Sequence, residues 1–431
     1  MTKHLIFLLF LMLINICEAA SEHSIHNQDR QELRDFLTQH NFRPLRTEPF
    51  EVTRKYLLGQ ALFFDPVLST NNDTSCATCH LVDYGTSDGM NKSIGTGGKG
   101  IGVARTEADI EKRHTRNSLG LWNRDNQTAS SMFWDGRLEV LDPRKHIYRS
   151  PFDEYLPKSI ENLLAAQALV PLVSKGEMFA SNCVPNNPCF EPNTPEERYK
   201  VLETILNKLI GDPNSPTTNL TQINYRKLFQ KAYPKIALDK LDVGHIGNAI
   251  AHFEEIAFAT RDAAWDQYIR GEEESLTDQQ VEGALLFFGK AGCSICHNGP
   301  VFSDYAFHSL GIYSLKGDNE PDYGRFEVTN SENDKFRFRT PSLRNTTLTA
   351  PYFHDGSSAN LKDSIEQHYQ HSDSKKFNTS QFINLETPDK KEINAIIAFL
   401  AALEDTIESY VPFVTPKSVP SGSAFHGGTH K

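Results

Sequence analysis

The sequence predicts a mainly α-helical protein built from two related helical modules. Three observations predict it. Amphipathic segments with apolar residues at helical spacing recur at 29–40, 53–63, 159–170, 196–210, 241–259, 275–289, 361–370 and 388–404. Long alternating patterns, the mark of half-buried strands, are scarce. One coarse internal repeat links the halves. Phe63 to His80 reads as helix end, loop and TSCATCH; Phe287 to His297 reads as helix end, loop and AGCSICH. The two histidines stand 217 residues apart, each behind a helix of the same kind.

The clearest helix is the last. Thr387-Pro388 precedes an acidic turn, and Ile393, Ile396, Ile397, Leu400 and Leu403 then share one apolar face. Glycine-rich stretches at 85–102 and 311–324 read as loops, and the Asn/Pro/Thr stretch at 211–221 as an exposed insertion. The chain beyond Pro412 is rich in Pro, Ser, Gly and His. A disordered tail over 413–431 is expected, with His426 and His430 solvated.

The first twenty residues read as a signal peptide. Lys3 precedes an apolar run from Leu5 to Ile16, small residues follow at Cys17, Ala19 and Ala20, and polar sequence begins at Ser21. That run is short of the roughly 20 residues that span a bilayer. Ile16 is a poor neighbour for a lipidated cysteine. Segment 1–20 is therefore expected to direct export to the periplasm, with no stable membrane insertion. The 431 residues suit two or three domains at roughly 100–200 residues each. A net charge of −11 and a pI of about 5.8 make a poor polyanion binder, since phosphate recognition needs clustered Lys and Arg; no nucleic-acid partner is expected.

Cysteine placement carries the main chemical signal. Cys17 leaves with the signal, and the other six form the pairs Cys76/Cys79, Cys183/Cys189 and Cys293/Cys296. Two pairs are C-x-x-C-H. In that motif both thiols form thioethers to porphyrin vinyl groups, and the adjacent imidazole reaches the iron. At this Cys and His content, chance yields two copies with a probability on the order of 10⁻⁵. A zinc site or a redox dithiol would not need the fifth-position histidine twice. Two covalently bound haem c groups are expected, on Cys76, Cys79 and His80 and on Cys293, Cys296 and His297. Cys183/Cys189 has no adjacent histidine. In an oxidising compartment it is most simply a small disulfide loop, with two free thiols as the alternative.

With these motifs the chain resembles the bacterial di-haem cytochrome c peroxidases and their MauG-like relatives. The resemblance runs from about Leu57 to Ala402. It rests on LGQALFFDPVLS before TSCATCH, then RNSLGLWN (116–123), MFWDGR (132–137), QALVPLVSKGEM (167–178), GCSICHNGP (292–300), RTPSLRNTTLTAPYFHDGS (339–357) and the closing helix. It implies two cytochrome-c-like helical domains, 21–270 and 271–412, with one haem each, packed about a shared interface. It implies reduction of hydrogen peroxide at the His80 haem, with electrons from a small donor protein (a cytochrome c or cupredoxin) entering at the His297 haem. MauG-like oxidation of a protein or organic substrate, or electron transfer without catalysis, are the alternatives.

The resemblance also implies residue roles. Trp134 matches a tryptophan that lies between the haems; alone it would read as core. Asn117 matches a position that binds an interdomain calcium with backbone carbonyls near Arg339 and Pro341. Gln167 and Glu177 match the Gln/Glu pair of the peroxide site. There a carboxylate can take a proton from the near peroxide oxygen and deliver one to the leaving oxygen. Outside the motif Glu177 would read as a solvated glutamate.

The chain departs from the family pattern at several places. Sixteen residues beyond His80, where many relatives carry a histidine that caps the iron, stands Thr96, a poor ligand. An open distal side is expected, with His114 as the alternative cap. The five methionines are Met1, Met12, Met90, Met132 and Met178, so the second module cannot supply a methionine ligand. The family position twelve residues after the glycine of His-Asp-Gly is His368, with Tyr369 as runner-up and His308, His354 and His371 weaker. About twenty extra residues between Arg137 and Gln167, and an expanded 97–113, could alter substrate choice or meet a partner.

Overall fold

The computed structural model describes residues 27–45, 50–106, 114–125, 129–180, 190–316, 320–370, 385–405 and 411–425. The signal segment, Cys183, Cys189, His371, His426 and His430 lie outside these residues. Each of the eight helical expectations contains a helix. These are α1 (27–39), α2 (Arg54–Phe64), α4 (Leu163–Leu169), α5 (Pro195–Ile210), α7 (Gly244–Ala257), α9 (Asp278–Phe288), α11 (Leu361–His368) and α12 (Lys390–Ala401). Short helix α3 (Cys76–Cys79) carries the first cysteine pair. The last helix starts later than Thr387-Pro388 suggests. Asp389 caps it, accepting from the Lys391 and Glu392 amides while the Glu392 side chain reaches back.

Sequence reading overlooked α6 (Leu220–Ala232) and α8 (Ala264–Ile269). In α6 only Tyr225 and Phe229 are buried, one turn apart amid polar residues, so the apolar stripe is too thin to read. Short helix α10 (Phe326–Thr329) follows the second glycine-rich loop.

Two apolar clusters form the core, and one packing device builds both. Helix α2 crosses α7 so closely that a Cβ on Gly59 would lie 1.9 Å from the Ala249 carbonyl oxygen. Helix α9 crosses α12 in the same way, and a Cβ on Gly283 would lie 1.9 Å from the Ala395 carbonyl oxygen. Glycine is required at both crossings because backbone meets backbone there. Phe63 and Phe253 fill the first crossing, with ring centroids 5.1 Å apart; Phe287 and Phe399 fill the second at 5.2 Å.

The chain ends exchange sides. Leu33 and Leu37 of α1 join the second cluster beside Trp265, although α1 precedes the first module in sequence. Residues beyond Pro412, expected to be disordered, pack on the first cluster as far as Phe425. Val414 and Val419 are buried there in and after short helix α13 (Val411–Val414). The Phe413 carbonyl accepts from Tyr56 Oη at 2.9 Å and Gln60 Nε2 at 2.7 Å. The expectation fails because the segment's polar average conceals three apolar anchors, Val414, Val419 and Phe425.

Strands are short. β1 (Ser131–Met132), β2 (Leu138–Asp142) and β3 (Ile147–Arg149) make an antiparallel sheet, with Met132 opposite Leu138. The residues inserted after Arg137 thus fold back on the strand that leads into Trp134. β4 (Phe307–His308) pairs with β7 (Phe338–Arg339), and β5 (Leu315–Lys316) with β6 (Glu320–Pro321).

Candidate functional site

Two cavities open beside the C-x-x-C-H motifs. The first, about 140 Å³, is lined by Cys76, Cys79, His80, His114, Gln167 and Glu177 among others. The second, about 220 Å³, is lined by Cys293, Cys296, His297, His368 and Tyr369 among others. None of these four cysteines is in a disulfide. His80 Nδ1 lies 2.9 Å from the Thr86 carbonyl oxygen, and His297 Nδ1 lies 3.0 Å from that of Phe302. A carbonyl only accepts, so each Nδ1 carries the hydrogen and each Nε2 is left as a ligand atom. Burial pushes both imidazoles down to about 4, which keeps them neutral, as metal ligation requires. Two thiols and one neutral imidazole on each cavity wall are the donor set of a c-type haem.

The distal side of the first cavity brings together the residues expected there. Gln167, on α4, and Glu177, on the turn that follows, line the same cavity as the cysteine motif. Glu177 is not alone: His114 Nε2 lies 2.6 Å from its Oε1. Burial opposes ionisation of Glu177, but the charge and hydrogen bond of His114, aided by Arg137, outweigh it. The carboxyl is held below its ordinary range. The same contact raises His114, against the burial that would lower it. Thr96 is tethered away from any capping role. Its amide donates to the Glu177 carbonyl at 2.8 Å and its Oγ1 to Asp73 at 3.0 Å. Glycine at 95 permits that approach, since a Cβ there would lie 1.9 Å from the Gly176 carbonyl oxygen.

In the second cavity His368 and Tyr369 are neighbours with different engagements. Tyr369 Oη donates to the Ala291 carbonyl at 2.7 Å. His368 Nδ1 lies 2.7 Å from the Ser364 carbonyl oxygen, the kind of contact that His80 and His297 make with their own carbonyls. His308 is paired with Asp304 at 2.7 Å.

Trp134 lines both cavities. It sits in a turn that the second half of the chain repeats: Phe133-Trp134-Asp135-Gly136 corresponds to Phe353-His354-Asp355-Gly356. Phe133 and Phe353 have φ of 66° and 70°, and Gly136 and Gly356 have φ of 67° and 65°. A positive φ on a phenylalanine is strained and persists only where the surroundings hold it. Here the Arg339 amide donates to the Trp134 carbonyl at 2.8 Å, and the Asn117 amide donates to the His354 carbonyl at 2.7 Å. Asn117 Nδ2 donates to the Met90 carbonyl at 2.9 Å, which leaves Oδ1 as the acceptor a cation could use. Asn117, Arg339 and Pro341 share one cavity wall.

Three features escaped sequence reading. His354, buried and pushed down to about 4 by that burial, faces Trp134; the repeated Phe-x-Asp-Gly would have revealed it. Glu254 lines the first cavity, and burial pushes it up to about 8 despite Arg124. Its Oε2 has no hydrogen-bond partner among the described residues. A glutamate on the apolar face of α7 was the available signal. The pairing of His114 with Glu177 had none, because 63 positions separate the two in sequence.

Two such cavities on paired helical crossings, joined by one tryptophan, define a di-haem peroxidase-type oxidoreductase. The family model described as "Di-haem cytochrome c peroxidase" matches residues 53–274, and the chain belongs to that family. It is 28% identical to cytochrome c551 peroxidase of Nitrosomonas europaea, over 84% of this chain and 83% of that protein. It is 30% identical to cytochrome c551 peroxidase of Pseudomonas aeruginosa, over 74% of this chain and 73% of that protein. The methylamine utilization protein MauG of Methylorubrum extorquens is 27% identical over 81% of this chain and 78% of its own length. Among solved structures, a MauG-like protein associated with microbial copper homeostasis superposes with a TM-score of 0.61. It is 26% identical, with 86% of this chain and 96% of that one covered.

Proposed function

We propose that this chain is an exported di-haem peroxidase that reduces hydrogen peroxide in its first cavity with electrons from a small redox protein, a cytochrome c or cupredoxin. The observation that supports the reading is that Glu177 and Gln167 line the same cavity as Cys76, Cys79 and His80. Cys76, Cys79 and His80 would hold one haem c. Cys293, Cys296 and His297 would hold the other, with His368 as its second ligand. Asn117, with carbonyls near Arg339 and Pro341, would hold calcium between the modules. Haem supplies redox-active iron that can bind peroxide and accept electrons.

The protein's own groups supply the rest. The Thr86 carbonyl fixes the ring of His80, so Nε2 faces the cavity. Thr96 is held on the Glu177 carbonyl, which keeps the distal side open to a small substrate. Glu177 Oε1 is a carboxylate at neutral pH and can take the proton of the near peroxide oxygen, then return it to the far oxygen as that leaves as water. The Gln167 amide beside it can orient the peroxide by hydrogen bonding. Trp134 lines both cavities and would offer an aromatic route between them.

The decisive experiment is Glu177→Gln in the haem-loaded protein. Both haems should stay attached, seen as two haem masses on the mature chain and haem stain in a denaturing gel. Peroxide turnover should fall about 10²–10⁴-fold. Near-normal turnover would refute the assignment of Glu177, and a mass showing one haem or none would refute the di-haem reading.

A further inference from the structure

Glu177 has a partner whose role the peroxide chemistry above does not use. His114 is placed by its own backbone. Its amide donates to the Ser93 carbonyl at 2.8 Å, and its Nδ1 donates to the Arg116 carbonyl at 3.1 Å. With Nδ1 so occupied, Nε2 can face only Glu177 Oε1, 2.6 Å away. The two side chains are 22% and 19% exposed, so water screens the contact weakly. Both line the first cavity.

We propose that His114 is a positioning residue for peroxide reduction, acting through Glu177 as the imidazolium that holds it as a base and exchanges a proton with it. This rests on the assignment of Glu177 to proton transfer. Two physical facts support it. A carboxylate at a buried site is disfavoured unless a cation compensates it. Among the described groups around Glu177, His114 gives the larger compensation and Arg137 the smaller. Second, the contact is a direct hydrogen bond, so one proton can move between Nε2 and Oε1 without an intervening water.

The step balances. One peroxide, two electrons and two protons give two waters. The near peroxide oxygen loses its proton to Glu177 Oε1. The O–O bond breaks, its electron pair goes to the far oxygen, and the proton from Glu177 completes the first water. The remaining oxygen becomes the second water with two electrons from the reduced donor protein and two protons from solvent. Delivery of that proton leaves Glu177 a carboxylate again, and the His114 imidazolium, in direct hydrogen bond with Oε1, holds it so for the next cycle.

The groups that face the pair are Arg137, Asp88, His80 and the cysteines Cys76 and Cys79. The cysteines would carry no charge as thioethers, and His80 would be a ligand. Asp88 is raised by burial and carries its own hydrogen bonds from Ser93 and Met90. Glu254, which burial raises to about 8, also lines the cavity, but it is common to parent and variant, so a shift between their profiles belongs to the pair.

The test compares the haem-loaded parent with His114→Gln, which keeps a hydrogen-bond donor but cannot carry the charge, and with His114→Ala. Two quantities are followed against pH: the rate of reaction of the ferric protein with peroxide, and the affinity of the first haem for fluoride, which rises as the distal carboxyl takes a proton. In His114→Gln burial dominates Glu177, so both profiles should move to higher pH. The rate at about pH 5.5 should fall about tenfold or more, and fall less at about pH 8. His114→Asn makes the same comparison if the glutamine variant does not fold. Coincident profiles for parent and variant would overturn the proposal. So would loss of a low-spin signal in His114→Ala, which would make His114 an iron ligand. Loss of turnover in Glu177→Gln with an unmoved profile in His114→Gln would remove this inference and leave the role of Glu177 standing.

Discussion

Trp134 and His354 meet edge to face, with ring centroids 6.4 Å apart and planes at 72°. They hold equivalent places in the two halves of the chain, each after a phenylalanine of positive φ and before Asp-Gly. The pair lies where the cavities approach one another. His354 also stacks on Phe338 at 3.6 Å, and its Nε2 lies 2.8 Å from Ser314 Oγ.

Replacing Trp134 by Phe tests the bridge. Trp134 Nε1 donates to the Asn117 carbonyl at 3.0 Å, and Phe leaves that buried acceptor without its donor. The stability cost should be about 1–3 kcal/mol, measured by denaturant titration. Haem content should hold, while electron exchange between the haems, followed after adding one reducing equivalent, should slow. An unchanged exchange rate would place the electron route elsewhere.

His368→Ala should convert the second haem from low-spin to high-spin without detaching it, because the thioethers on Cys293 and Cys296 remain. Tyr369→Phe should leave that spectrum alone, since Tyr369 Oη is committed to the Ala291 carbonyl. The opposite pattern in electron paramagnetic resonance would make Tyr369 the ligand.

Gly59→Ala and Gly283→Ala should be among the most damaging single changes. The added methyl meets a carbonyl oxygen 1.9 Å away, and backbone on both sides cannot yield as a side chain would. Each should cost about 3 kcal/mol, the upper end of core overpacking. Gly59→Ala should lower haem retention at the first motif and Gly283→Ala at the second, a split that peptide mapping with haem stain would show.

Acid should unfold the module interface before it unfolds the helices. Arg116 is buried between Asp135 at 2.5 Å and Asp322 at 2.7 Å, so it ties the first half to the second. Burial alone would raise these carboxyls. For Asp135 the charges of Arg137 and Arg116 outweigh burial; for Asp322 the hydrogen bond and charge of Arg116 do. Both are depressed, so their stabilisation is complete above the unfolded carboxylate value of about 3.9 and is lost as pH falls through the folded values. Arg116→Met should move the acid transition, followed by near-ultraviolet circular dichroism, to higher pH. It should cost about 3–5 kcal/mol at neutral pH by stranding buried carboxylates. An acid transition that stays in place would show that Arg116 does not carry the interface.

Sequence alone determined the features that depend on local spacing. C-x-x-C-H brings two thiols and an imidazole together within five residues, so the donor set was legible without a fold. Helix positions followed from apolar periodicity, except in the six-residue α8 and in α6, where Tyr225 and Phe229 make too thin a stripe. The Gln167 and Glu177 pair was legible through the family resemblance, because one segment of eleven residues carries both. Tertiary structure alone decided what depends on distant segments meeting. It put α1 on the second core and the segment through Phe425 on the first, because a few buried apolar side chains outweigh a polar average. It set His114 on Glu177 and His354 against Trp134. It also set the helix crossings at Gly59 and Gly283, where the absence of a side chain lets two backbones close to a distance no local pattern encodes.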